Sequence, residues 1–164
     1  FGFHNLKRCY NNKAMQSIIG ITATLEDIFM EKKDLEGLFS QAVEASKGSY
    51  SPYSKFPVGA ALLTEDGTVI TGANIENRSF GLTNCAERTA IFAAVSAGYR
   101  KFKAIAIATP SASYSVAPCG ACRQVISEFA PPEMPVIFGA NFADSVFTDV
   151  KGIYPFDSLH DLAQ

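Results

Sequence analysis

The sequence predicts a mixed sheet with helices on its faces, an α/β or α+β sandwich. Three observations carry that expectation: a window with apolar residues at helical spacing, a strong hairpin signal, and an alternation of helix-like and strand-like stretches beyond the hairpin.

Leu35, Leu38, Phe39, Ala42 and Val43 recur with the helical period, which predicts an amphipathic helix over residues 34–47. Gly48, Ser51 and Pro52 end it. Residues 58–64 and 68–73 read as strands, and Glu65-Asp66-Gly67 between them is a hairpin turn. Residues 84–97 read as a helix, with Gly98 where a C-terminal stop belongs. Residues 103–109 alternate into a buried strand, 119–129 form a short helix, and 135–140 and 145–148 supply further strands. The order contains no internal repeat and no low-complexity tract.

At 164 residues the chain fits one domain. A chain of that size buries about two-thirds of its unfolded surface, enough for a core without disulfide staples. Hydrophobic residues make up 48% and charged ones 18%, the balance of an ordinary globular protein. A formal charge of −2 argues against a nucleic-acid partner, since such binders carry a basic field. No stretch approaches the roughly 18 apolar residues of a membrane span. These limits point to a small ligand.

Residues 1–30 are expected to stand apart as an N-terminal extension, disordered or foreign to the native protein, ahead of a domain over 31–164. Lys7, Arg8 and Lys13 before the weakly apolar stretch 17–25 have the order of a targeting segment. Gly20, Thr22 and Thr24 dilute that stretch and Glu26-Asp27 follow it at once, which argues against the reading. Met30 is the more natural start of the folded domain.

Four cysteines stand at 9, 85, 119 and 122. Cys119-Gly120-Ala121-Cys122 has a spacing that suits metal or redox chemistry in a reducing, cytoplasmic compartment. Cys85-Ala86-Glu87 opens one predicted helix and Pro118-Cys119 another. Helix N-termini stabilise thiolates. Cys119 and Cys122 are three apart and share a helical face. If the two helix starts lie side by side, three soft ligands converge on one ion, and zinc fits them at about 2.3 Å per bond. Three protein ligands leave a position for water, whose pKa falls from about 15.7 towards about 7. Three thiolates weaken that effect, and Arg88 and Arg123, each beside a cluster residue, are the groups that offset it. Glu87, two residues from Cys85, is placed to handle protons.

Each piece has a plainer reading. Glu87 stands three after Asn84 and could be the third-position glutamate of a helix cap. Cys119 and Cys122 could be a redox pair, and Cys85 a small core residue. Their joint order, however, is the known signature of zinc deaminases, with histidine or cysteine as first ligand.

The sequence from about Leu35 to Phe129 resembles the short, homotetrameric cytidine deaminases. The resemblance rests on the segments Ser51-Pro52-Tyr53-Ser54-Lys55-Phe56-Pro57-Val58-Gly59-Ala60-Ala61-Leu62, Gly72-Ala73-Asn74-Ile75-Glu76-Asn77, Cys85-Ala86-Glu87-Arg88-Thr89-Ala90 and Pro118-Cys119-Gly120-Ala121-Cys122-Arg123-Gln124-Val125-Ile126. It implies a three-layer α/β/α sandwich around a mixed five-stranded sheet, one zinc ion per subunit, and hydrolytic deamination of cytidine and 2′-deoxycytidine in a homotetramer with shared active sites. It further implies that Cys85, Cys119 and Cys122 ligate zinc, that Glu87 shuttles protons and that Arg88 bonds the thiolates. Asn74 and Glu76 match the pair that bonds the sugar 3′-hydroxyl, Phe56 the aromatic against the pyrimidine, and the backbone at Ala86 and Ala117-Pro118 the groups that reach the base. Gln124 matches a position behind the ligands.

The residues themselves add that Asn74 and Glu76 point to one side of an extended segment. The Glu76 carboxylate would also repel a phosphate, favouring a nucleoside over a nucleotide. Arg78 and Phe80 depart from the family, which carries alanine and tyrosine there. Tyr154-Pro155-Phe156 matches its Leu-Pro motif loosely, with Phe156 carried over as a residue reaching a neighbouring subunit. Cys9, His4 and His160 match nothing. A polynucleotide deaminase, a blasticidin-type deaminase and a structural zinc module with Cys9, His4 or His160 as fourth ligand are the rival readings.

Overall fold

The computed structural model describes residues 32–157 and Leu159. The expected N-terminal extension, with Cys9, His4 and the start at Met30, lies outside them, as does His160.

Helix α1 (Lys32–Ser46) comes first, and it buries Leu38, Phe39 and Ala42, the apolar stripe of its period. Strands β1 (Gly59–Thr64) and β2 (Val69–Ala73) pair antiparallel through the expected hairpin. The turn forms because Gly67 takes φ +91° and the Asp66 carboxylate accepts from Thr64 Oγ1 and from Thr68 N at 3.0 Å. The Thr64 hydroxyl is the main cause of an Asp66 carboxyl held below its ordinary value. Helix α2 (Ala86–Ser96) follows and stops where Gly98 adopts φ +98°. Strand β3 (Phe102–Ala108), helix α3 (Gly120–Phe129), and strands β4 (Pro135–Gly139) and β5 (Val146–Asp149) complete the expected set. The sequence reading did not foresee a 3-10 turn at Phe80–Leu82 or helix α4 (Val150–Ile153).

The sheet has the order β2-β1-β3-β4-β5, with β3 and β4 parallel and the other neighbours antiparallel. It is the mixed five-stranded sheet of a three-layer α/β/α sandwich. Registers divide its residues between two faces. Ala60, Leu62, Ile105, Ile107, Val136 and Phe138 form one core with Ala90, Ile91 and Ala94 of α2 and Ile126 of α3. The opposite face, under α1, is lined by Gly59, Ala61, Ala104, Ala106 and Ala108.

Small residues set the spacing of the layers. A Cβ on Gly59 would overlap the Ala42 carbonyl oxygen and lie 2.5 Å from Ser46 N, both main-chain atoms of α1. One on Gly72 would lie 2.5 Å from Ala90 N in α2. Neither backbone can yield locally. Gly59→Ala is therefore expected to cost about 1–3 kcal/mol or more, the range of overpacked cores. A fall in the urea midpoint without a change in slope would register it; an unchanged midpoint would mean that α1 shifts freely over the sheet.

One end of the sheet gathers the chemistry. Gly59 at the start of β1 pairs with Ala73 at the end of β2 and with Ala108 at the end of β3, which in turn pairs with Gly139 at the end of β4. The segments carrying Phe56, Asn74 and Cys119 all leave the sheet from this edge, where the parallel strands present their carboxyl ends.

Candidate active site

Cys85 is the N-cap of α2 and Cys119 the N-cap of α3, both with extended backbone and neither side chain closing a cap hydrogen bond. Their sulfurs are thus left free at the positive ends of two helices. Cys122, one turn into α3, completes the group. Cys85 and Cys119 Sγ are 3.9 Å apart, Cys119 and Cys122 Sγ 3.5 Å, and all three lie within 4.8 Å of one another. Tetrahedral bonds of about 2.3 Å would space sulfurs by about 3.8 Å. The three donors fit zinc. Cys122 is buried, Cys85 half-buried and Cys119 exposed.

The electrostatics follow from this crowding. The Cys122 thiol bonding to it, and after that Arg88, drive Cys85 down to about 5 against the opposing effect of its burial. Cys122 is pushed up by the same bond and by burial. Arg88 Nη2 donates to Cys85 Sγ at 3.4 Å, and this bond holds its guanidinium firmly charged. Arg88 Nε is buried without a protein partner. Arg123, expected to share the task of offsetting charge, does not do so with the bonds it makes. Its Nε donates to Pro118 O at 2.8 Å and its Nη1 to Ile153 O at 3.1 Å.

Glu87 is only 4% exposed, and burial pushes its carboxyl up, with the Cys85 charge acting in the same direction. The plainer reading of Glu87 as a capping-box glutamate fails on geometry. The cap is Cys85, so Glu87 is the second helical residue, and Asn84 instead donates through Nδ2 to Thr89 Oγ1 at 3.1 Å. Ala86, first in the helix, is fully buried.

The segment Asn74-Ile75-Glu76 lies beside this centre because Ile75 and Asn84 exchange two backbone hydrogen bonds of 2.9 Å. Buried Asn74 and half-buried Glu76 flank exposed Ile75, the alternation of an extended segment. Both side chains also support the loop over residues 49–58, a task the sequence reading missed. Asn74 Oδ1 accepts from Val58 N at 2.8 Å and Ser49 Oγ at 2.5 Å, and its Nδ2 donates to Phe56 O at 2.9 Å. Glu76 Oε2 accepts from Tyr53 N at 2.8 Å, and Ser54 N lies 3.3 Å from each oxygen. Ser54, through its side chain first, keeps the Glu76 carboxyl below its ordinary value. The loop needs such support, since Lys55 sits at φ +55°, uncommon for a residue with a side chain, just before half-buried Phe56. No periodicity marks these links; only the polar pair itself signals them.

Gln124 is not bonded to a sulfur. Its Oε1 accepts from Tyr154 Oη at 2.8 Å and its Nε2 faces Ser127 Oγ at 3.5 Å. Arg78 is exposed, Phe80 is 72% exposed with its ring edge-on to Tyr53 at 5.6 Å, and Phe156 is 90% exposed.

Residues 32–138 match the sequence model of the family described as the cytidine and deoxycytidylate deaminase zinc-binding region. A cytidine deaminase of Sporosarcina psychrophila is 52% identical over 122 residues, 74% of this chain and 89% of that protein. A cytidine deaminase of Halalkalibacterium halodurans is 55% identical over 106 residues, 65% of this chain and 80% of that one. The crystal structure of a cytidine deaminase from Burkholderia pseudomallei superposes with a TM-score of 0.70 at 46% identity, covering 73% of this chain and 94% of that one.

Proposed function

The chain belongs to the cytidine and deoxycytidylate deaminase family, and from that premise we propose that it hydrolyses cytidine and 2′-deoxycytidine to uridine and 2′-deoxyuridine with release of ammonia. The observation that carries the reading is three sulfurs within 4.8 Å of one another with a buried carboxyl, Glu87, two residues from one of them.

Cys85, Cys119 and Cys122 are the residues that would hold zinc. Bound there, zinc supplies the Lewis acidity that brings water towards ionisation at neutral pH. Glu87 accepts a proton from the attacking water and delivers it to ring nitrogen 3 as the water oxygen bonds carbon 4. It then takes the remaining proton from that oxygen and hands it to the amino nitrogen; the carbon–nitrogen bond breaks as the carbonyl forms at carbon 4, and ammonia leaves. A carboxyl raised by burial suits a group that must both accept and donate near neutrality. Arg88 offsets thiolate charge. Asn74 retains a second Nδ2 hydrogen and Glu76 spare lone pairs for the sugar 3′-hydroxyl, and Phe56 packs against the pyrimidine, with the Ala86 backbone reaching its edge. Gln124 serves from behind the ligands, through Tyr154.

Glu76 and the formal charge of −2 support a free nucleoside over a nucleotide or polynucleotide. Exposed Phe80, Leu82, Phe92 and Phe156 support a homotetramer, in which Phe80 and Phe156 face a neighbouring site. No helix among the described residues is long and apolar enough to cross a membrane, and thiolate ligands favour a reducing, cytoplasmic setting. On this reading residues 31–164 are the catalytic domain and 1–30 an extension to it.

Purified protein is expected to convert cytidine to uridine, followed by ultraviolet absorbance, and to stop after chelation and restart when zinc is returned. Turnover that survives complete removal of metal would overturn the proposal.

A further inference from the structure

We propose that Tyr154 is a positioning residue which, with Arg123 and Gln124, clamps the C-terminal segment against the start of α3 and thereby slows the departure of zinc. The proposal rests on the zinc reading given above.

Cys119 is the exposed member of the three cysteines, and its backbone is extended at the very end of the segment leaving β3. Release of a metal begins with the ligand that can swing away, so whatever restrains Cys119 governs release. The adjacent carbonyl, Pro118 O, is held by Arg123 Nε. The same guanidinium uses Nη1 on Ile153 O, so one planar group ties the ligand loop to the last turn of α4. Tyr154, the next residue, donates its hydroxyl to Gln124 Oε1, one position beyond Arg123 in α3. Two side chains of α3 thus hold two successive residues of the C-terminal segment, thirty positions away in the chain. The Tyr154–Gln124 bond keeps Ile153 O where Arg123 can span both carbonyls. An aliphatic residue before Pro155 would lack that hydroxyl.

The test is the rate at which zinc leaves the loaded full-length protein for a chromophoric chelator. Tyr154→Phe is expected to accelerate release about fivefold, the ratio that loss of one intramolecular hydrogen bond produces. Arg123→Lys, which keeps the charge but not the fork, should accelerate it at least as much. Lys151→Ala, an exposed neighbour outside the clamp, serves as control and should match wild type. Tyr154→Phe lowers the urea midpoint of the zinc-free chain by the share that one hydrogen bond carries; Gly59→Ala, which lowers that midpoint at least as far from the opposite face of the sheet, should leave release at the wild-type rate. Unchanged release from both clamp variants, or equal acceleration in Lys151→Ala or Gly59→Ala, would overturn the inference while leaving the zinc reading intact. Failure of the wild-type chain to retain zinc would instead overturn the zinc reading itself.

Discussion

Glu87→Gln is expected to lower kcat for cytidine by at least about 10²–10⁴-fold, the usual worth of one positioned proton transfer. On the proposed mechanism two such transfers pass through this carboxyl, so the loss should fall at or beyond the upper end. Glutamine keeps the length and the hydrogen-bonding oxygen but cannot exchange a proton. Glu87 lies in the first turn of α2, buried and beside the sulfurs without being one of the three donors within bonding reach of one ion. Zinc content should therefore stay at the wild-type level and KM should change far less than kcat. Steady-state kinetics with metal analysis on one sample read both. Near-normal turnover in the loaded variant would remove Glu87 from the proton-transfer role.

Cys85→Ala should abolish activity by a different route, the loss of the metal. Two sulfurs then remain, both at one end of α3, and one of them, Cys119, is exposed. Arg88 loses its sulfur acceptor in the same stroke, while its Nε already lies buried without a protein partner. Leaving a half-buried cation with fewer partners costs stability beyond the metal itself. Zinc measured after gel filtration is expected at background, and activity should not return on adding zinc. A variant that holds zinc at wild-type content would show that Cys85 is not a ligand.

Much of this architecture is legible in the residues because local chemistry and tertiary packing agree there. Glu65-Asp66-Gly67 turns the chain since Gly67 needs a positive φ and Asp66 closes on its neighbours. Gly98 stops α2 for the same reason. The strand limits shift by a residue where a side chain takes over the backbone's partner, as at Val58, whose N–H goes to Asn74 Oδ1 instead of the ladder. The cluster of Cys85, Cys119 and Cys122 is legible because helix starts and ligand spacing coincide. Helix α4 carried a signal that spacing arguments passed over: Asp149, whose Oδ1 accepts from Gly152 N at 2.6 Å as an N-cap. The bonds of Arg123 and Gln124 to the C-terminal segment carried none, and the supports of the 49–58 loop only the polar pair Asn74 and Glu76. They join positions 16 to 30 residues apart through single hydrogen bonds, and no period in a sequence reports those.

The two faces of the central sheet are built to opposite specifications. Beneath α1, strands β1 and β3 present Gly59, Ala61, Ala104, Ala106 and Ala108, so little there can be trimmed, and a methyl added at Gly59 meets main chain. Beneath α2 and α3 they present Leu62, Ile105, Ile107, Val136 and Phe138, where, away from Gly72 and its close approach to α2, added bulk is less the hazard than a lost methyl group and the void it leaves. The molecule is thus fragile to enlargement on one side and to erosion on the other, and an engineer reshaping it would need contrary rules for each.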